Sequence, residues 1–519
     1  MGSNRRFILN AVLLSAVAVA VRAVSVSFNA YVALKVGAEC MGLFTLVTSV
    51  YSFCVIIACA GVNLAVTRRC AEAASRAERD GVSARGELVT VVRAALLYSA
   101  FFGILAGAAV FLLSDIIGRE LLGDARCVPS LRAFALSLPA ISCASALNGY
   151  FTGVGKVCKN AVCTVLEESV KILFISAGLV LIAPRGIEYA CLAIVGGGAA
   201  AQGVSLLNAA VLYLFDKKGK RHGGEPGRTK LFREIKATAS CALPVAAGSA
   251  ARFGLITAEH VAIPPALVKY GLSRSAALSV YGVMNGMVMP VVTFPSAVLY
   301  SFASLLIPEI AGCRASGNRR RIARIEKAVF RSSLLFSVCA SGIFIAFADE
   351  IGEALYREPE ASRQLRLIAL LVPVMYLDSA VDAMLKGLGE EVFCMKVNVV
   401  DSLLCLGLVF ILVPSLGIDG YIALTIISEV VNASLSLWRL MKIAPVKRDL
   451  FHHLFLPVLS ISSAYLVARA AGLILPDISL SFKVAVTVVS YGGFCTAFGA
   501  VERGDVRLAR RVFSRAQSR

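Results

Sequence analysis

Charge is what this sequence has least of. Only 16% of its 519 residues are Asp, Glu, Lys or Arg, while 58% are hydrophobic and the mean hydropathy is +0.78. That shortage excludes a water-soluble protein of this length, which would need a far larger charged surface, and leaves an all-α polytopic membrane protein. The four histidines, His222, His260, His452 and His453, lack the spacing of a metal site. No Cys-x-x-Cys pair occurs among the fifteen cysteines, most of which sit inside apolar runs as small hydrophobes. A disulfide scaffold and a zinc fold are thereby set aside, and no metal or cofactor is expected. Long polar connectors are missing too. None could hold an extramembrane catalytic domain, so an enzyme such as a membrane glycosyltransferase is disfavoured and the working parts are expected among the helices.

What the chain does contain is a series of long apolar runs separated by short basic loops. A net charge of +19 invites a nucleic-acid reading. The cations lie in the connectors, however, where the preference of Lys and Arg for the cytoplasmic side accounts for them. We count about fourteen spans near the length of ~20 residues that a hydrocarbon core demands of a helix. The first follows Arg5 and Arg6 and runs too far for a cleaved signal peptide. Alternate loops then collect most of the basic residues, which predicts both termini in the cytoplasm and a bacterial cytoplasmic membrane location.

The connector 216–236 is strongly basic, with Gly and Pro at its middle. It divides the chain into a lobe of six spans (1–215), the linker itself, a second six-span lobe (237–445), two further spans (446–502) and a basic tail (503–519). Two six-helix lobes are what transporters built from repeated halves present. Pro139, Pro244, Pro290, Pro295, Pro308 and Pro373 fall within spans, where they are expected to kink or break helices. Gly196, Gly197 and Gly198 read as a close-packing surface.

Ionisable residues deep inside apolar sequence are the functional candidates. Arg22 sits near the middle of the run Phe7 to Leu34. There a charge costs roughly 2.5–3.5 kcal/mol unless it faces a bundle interior or water. Glu167 and Lys171 are four apart, so they either neutralise each other on one helix face or line a charged cavity wall. Arg252 and Glu259 share a face seven residues apart, with Glu259 close enough to the span end for ordinary interfacial exposure. Asp378, Asp382 and Lys386 recur every four residues, Lys386 being placed to snorkel, and Asp401 and Glu429 add two acids on the next spans. Pairing between helices is one reading of this set; a hydrated, partly cationic cavity is the other.

Several motifs together resemble one family. Arg22 is followed by Val36-Gly37-Ala38-Glu39, Met41-Gly42-Leu43 and Ala60-Gly61-Val62, and later by Asn148-Gly149-Tyr150-Phe151-Thr152-Gly153. Further along come Phe294-Pro295-Ser296, Leu306-Ile307-Pro308-Glu309-Ile310, Leu385-Lys386-Gly387-Leu388-Gly389 and Val413-Pro414-Ser415-Leu416-Gly417. In order and spacing they resemble the polysaccharide-flippase family of the multidrug/oligosaccharidyl-lipid/polysaccharide (MOP) superfamily. The subgroup it most resembles is that of stage V sporulation protein B, related to the lipid II flippase MurJ. The resemblance implies a MATE/MurJ-like fold and a transporter rather than an enzyme. It also implies flipping of an undecaprenyl-diphosphate-linked saccharide, such as a peptidoglycan precursor for cell wall or spore cortex.

On that reading Arg22 grips the diphosphate, with Arg252 and Lys171 as partners, and the acids balance the site or contact sugar hydroxyls. This chain departs from its relatives at Ser25 and Asn29, where they carry Gly and a second basic residue; Arg252 is the candidate substitute. Coupling to Na+, H+ or the membrane potential is expected to drive transport by a monomer, with cell-wall synthesis enzymes as candidate partners. Two rivals remain. A cation-coupled multidrug antiporter of the same superfamily would use the acids, and a membrane scaffold for cell-wall or cortex synthesis would use the basic loops.

Overall fold

The computed structural model describes residues 2–80, 85–217, 228–443, 454–474 and 479–500. The middle of the basic linker and the basic tail lie outside them. No strand occurs among the described residues, which form eighteen α-helices. They are α1 (Gly2–Cys59), α2 (Val62–Asp80), α3 (Arg85–Ile116), α4 (Val128–Gly153), α5 (Val157–Leu181), α6 (Ile187–Lys217) and α7 (Arg228–Tyr270). Next come α8 (Arg274–Gly282), α9 (Met289–Thr293), α10 (Ser296–Ala315), α11 (Arg319–Ala346), α12 (Ala348–Leu355) and α13 (Pro359–Ala369). The last are α14 (Val372–Gly387), α15 (Glu391–Leu416), α16 (Ile418–Ile443), α17 (Leu456–Ile474) and α18 (Leu480–Ala497). Helix is the expected outcome, because a helix satisfies its own backbone where hydrocarbon offers no hydrogen-bond partner.

Eleven of these segments are long and apolar enough to cross a membrane, or twelve if α13 and α14, bent by 54°, form one span. The sequence count of about fourteen is not reproduced, for two visible reasons. The first two expected spans fall in one helical segment, Val17–Arg76, made of helices joined across a kink at Gly37 (φ 78°) and broken again at Ala60 and Gly61 (φ 41° and 71°), and α5 carries too many charges to qualify. Breaks occur where proline removes a donor. Pro290 starts α9, Pro295 separates α9 from α10, and Pro373 opens α14 just past the bend, whereas α4 and α7 run through Pro139 and Pro244.

The chain packs as two compact units. One comprises Lys35–Pro265 with Ser273–Gly282, the other Met1–Leu34 with Ala266–Leu272 and Val283–Arg519. Packing thus divides the chain at other points than the basic linker does. Three of the changeovers fall within a few residues of a helix irregularity: the Gly37 bend, the Pro264-Pro265 pair, and the π-helical stretch Val283–Val288 that follows α8.

In the first unit small residues let backbones approach. Gly103 and Gly107 of α3 face Ala135 and Pro139 of α4, and Gly149 and Gly153 of α4 face Asn63 and Thr67 of α2, each with no room for a Cβ. Val62, Val66, Leu147, Phe151 and Ala242 form the adjoining core. Of the glycine triplet in α6, Gly197 packs on Ile175 while Gly196 and Gly198 meet nothing. In the second unit, α14 lies against α10, α11 and α16, and the pair α17–α18 docks on α11. That docking uses Ile461 against Gly342, Tyr491 donating to the Leu335 carbonyl at 2.9 Å, and buried Arg331 donating to the Ala500 carbonyl.

Candidate functional site

The chain from α8 to α10 is the most interrupted stretch among the described residues. A π-helical turn followed by two proline-marked breaks frees backbone carbonyls that a regular helix would use, and such turns recur at functional positions. Side chains from other elements take them up. Asn29 Nδ2 donates to the Gly286 carbonyl at 2.7 Å, Tyr356 Oη to that of Met287 at 2.8 Å, and Tyr376 Oη to that of Val292 at 2.5 Å. Tyr421 Oη donates to Asn285 Oδ1 at 3.1 Å. Asn29, one of the cavity candidates, therefore supports the broken helix.

Arg22 lies two turns before Asn29 on α1. Its guanidinium is exposed and donates to Thr293 Oγ1 at 3.3 Å, at the last residue of α9. No other hydrogen bond or ion pair engages it among the described residues. It is a cation held at one corner and open on the rest of its donor fork, the arrangement that suits bidentate capture of a phosphate.

A second group in the same unit gathers the acids of α14, α15 and α16. Lys386 Nζ lies 2.6 Å from Asp382 Oδ2, one turn away on α14. Ser428 donates to Asp401 at 2.6 Å. Asp378 feels the charges of Asp382 and Asp401 and is hydrogen-bonded to Ser436, while its Oδ1 is buried without a partner among the described residues. Glu429, half-buried, faces Asp378 and Asp401. The structure so brings together five of the sequence candidates, with four acids against one lysine. Among the described residues no three His, Cys, Asp or Glu side chains are placed to hold a metal ion.

The remaining candidates lie in the first unit. Glu167 does not close on Lys171. It accepts from Gln202 Nε2 at 2.6 Å and from Ser205 Oγ at 2.8 Å, both on α6, and Lys171 pairs instead with Glu168 at 2.6 Å. The α6 groups explain the difference, since two neutral donors satisfy Glu167 and leave the lysine to its nearer neighbour. Arg252 on α7 is exposed and makes no ion pair among the described residues. Glu259, seven residues on, is half-buried, and next to it His260 Nδ1 is 2.9 Å from Tyr281 Oη.

One ionic node escaped the sequence reading altogether. Arg126, just before α4, grips Asp124 with Nη2 at 2.7 Å and Nε at 3.1 Å, and reaches Glu39 with Nη1 at 2.8 Å. Ser275 donates to Glu39 at 2.6 Å, and Arg274 donates to the Leu122 carbonyl at 3.1 Å with its Nε 3.8 Å from Asp124. Burial alone would raise the Asp124 carboxyl, but the Arg126 side chain and backbone hold it below its ordinary value. Beside this node Gly42 and Gly282 cross so closely that a Cβ at either would meet the backbone of the other helix. The node ties together α1 beyond its bend, the α3–α4 connection and the start of α8, all at the end that loop charge assigns to the exterior. Its sequence signals were the family-like Val36-Gly37-Ala38-Glu39 motif for Glu39 and, for the other members, a place in a short connector.

Comparison with known proteins places these features in context. Residues 7–313 match the model of a family described as polysaccharide biosynthesis protein. The chain is 25% identical over 447 residues to stage V sporulation protein B of Bacillus subtilis (strain 168), covering 83% of each. Among solved structures it is similar to lipid II flippase MurJ in an inward closed conformation, with TM-score 0.61 and 11% identity over 94% of this chain and 98% of that one. It is also similar to an inward-facing multidrug resistance MATE family transporter of the MOP superfamily, with TM-score 0.58 and 16% identity over 82% and 98%. The fold is that of these transporters.

Proposed function

Since this chain belongs to the polysaccharide biosynthesis protein family, we propose that it flips an undecaprenyl-diphosphate-linked saccharide, a peptidoglycan precursor such as lipid II, across the bacterial cytoplasmic membrane. The observation that carries the reading is Arg22, an intramembrane cation anchored at one point to Thr293 and open elsewhere. A diphosphate supplies the paired acceptor oxygens that such a fork lacks. Alternating access by the two halves moves the headgroup while the prenyl chain stays in lipid. Arg252, exposed on α7, is a second candidate contact, and Glu167 with its amide and hydroxyl neighbours offers acceptors and donors to sugar hydroxyls. The acids of α14 to α16 exceed their single lysine in charge, and a coupling cation, H+ or Na+, would balance them.

Transport of fluorescent lipid-linked precursor in proteoliposomes tests this. Arg22→Ala is expected to lower the rate at least about tenfold, roughly the worth of one charge-assisted contact, with Arg22→Lys between the two. Wild-type rates in Arg22→Ala and Arg252→Ala together would remove the phosphate assignment.

The acid cluster favours a second reading, a cation-coupled drug antiporter. Ethidium efflux driven by a proton or sodium gradient and lost in Asp378→Asn would support it, and its absence alongside precursor flipping would reject it.

A further inference from the structure

Helix α11 is longer than a membrane requires. Its 28 residues rise about 42 Å, against a hydrocarbon core of about 30 Å, so on the order of eight residues stand outside. Charge decides which end protrudes. Arg319, Arg320, Arg321, Arg324 and Lys327 lie within its first nine positions, which hold one acid, Glu326, and no charge follows Arg331 within the helix. The protruding turns are nonetheless seated, because Ile322, Ile325 and Val329 pack on a core built from Ile310, Leu385 and Leu440. Arg320 and Arg324 project on the opposite stripe, and Arg314, from the end of α10, is exposed nearby in the chain.

Counter-charge here is scarce. Arg321 pairs with Glu309 at 2.8 Å, and Glu326 is buried beneath the helix. Arg314, Arg319, Arg320 and Arg324 make no ion pair among the described residues. Four guanidinium groups that make no ion pair among the described residues thus lie within eleven positions, Arg314 in the last turn of α10 and the other three in the first two turns of α11.

We propose that the turn joining α10 to α11 is a binding surface for the phosphate groups of anionic phospholipids. Depth singles out a lipid, since these arginines lie within a few turns of the hydrocarbon boundary, and the planar guanidinium matches a phosphodiester. From the loop-charge orientation the proposal takes only that this end meets the anionic cytoplasmic leaflet; it is independent of the substrate assigned above.

The test uses the full-length protein, delipidated and offered equimolar dioleoylphosphatidylglycerol and dioleoylphosphatidylcholine, with bound lipid counted by native mass spectrometry. The wild type is expected to retain the glycerol lipid over the choline lipid by at least about tenfold in 50 mM ammonium acetate, and less in 500 mM, where screening is short-ranged. The variant R314Q/R319Q/R320Q/R324Q should bring the ratio near one, with the corresponding lysine variant in between. Equal retention of the two lipids by the wild type, a preference indifferent to salt, or a preference unchanged in the glutamine variant would each overturn the proposal. The two wild-type arms decide it even where the variant is not recovered folded.

Discussion

Removing the Arg126 side chain should expose how much the ionic node at the start of α4 contributes. Asp124 is 7% exposed and takes a two-point grip from Arg126. Breaking a buried pair by deleting one partner costs about 3–5 kcal/mol when the other charge is left alone. Asp124 would not be wholly alone: the Arg126 backbone N–H, at 3.0 Å, survives substitution, and Arg274 remains 3.8 Å away. The arm to Glu39 is a third exposed at the arginine and adds at most about 1 kcal/mol. Arg126→Ala should therefore cost about 2–4 kcal/mol, measured by unfolding in mixed detergent and SDS micelles. In an Asp124→Asn background the same substitution should cost about 1 kcal/mol or less, since the orphaned charge is gone. Because the Asp124 pKa is lowered on folding, its contribution is complete above the ordinary carboxyl value of 3.8 and is lost only as pH falls through the lower folded value. The penalty should accordingly be flat from pH 5 to 8. Equal stability of Arg126→Ala and wild type, or equal cost in both backgrounds, would refute the reasoning.

Two further outcomes follow from the packing. Gly282→Ala drives a Cβ into the Ala38 and Gly42 backbone and should lower stability by about 1–3 kcal/mol, while Gly312→Ala, which meets nothing within 4 Å, should be silent in the same SDS unfolding assay. Tyr376→Phe keeps the ring but leaves the Val292 carbonyl without its donor where water is scarce, a loss of about 1–3 kcal/mol that Tyr376→Ala should exceed through its cavity.

Hydropathy made the helical class legible, and proline marked the breaks at Pro290, Pro295 and Pro373, because both are local properties of the chain. Partners were not legible. Spacing offered Lys171 to Glu167, but the donors that satisfy Glu167 come from Gln202 and Ser205 on the next helix, and neutral polar residues leave little trace in an apolar run. Asn29 was visible only as a missing cation, since the carbonyl it serves is freed by a π-helical turn more than 250 residues away. The acids of α14 to α16 could be placed in the membrane from sequence, yet their convergence depends on which faces those helices turn to one another. The division between the first two expected spans was legible as well, because it falls at Gly37, where the backbone leaves the helix.

Arg331 ties the end of the last helix to α11. Its guanidinium donates to the Ala500 carbonyl, the last described residue, one turn along α11 from Lys327. With Tyr491 on the Leu335 carbonyl and Ile461 against Gly342, the pair α17–α18 is held to α11 at three separate levels. A helix pair gripped at one point could swing about it, whereas one gripped at three follows any movement of α11 as a single body.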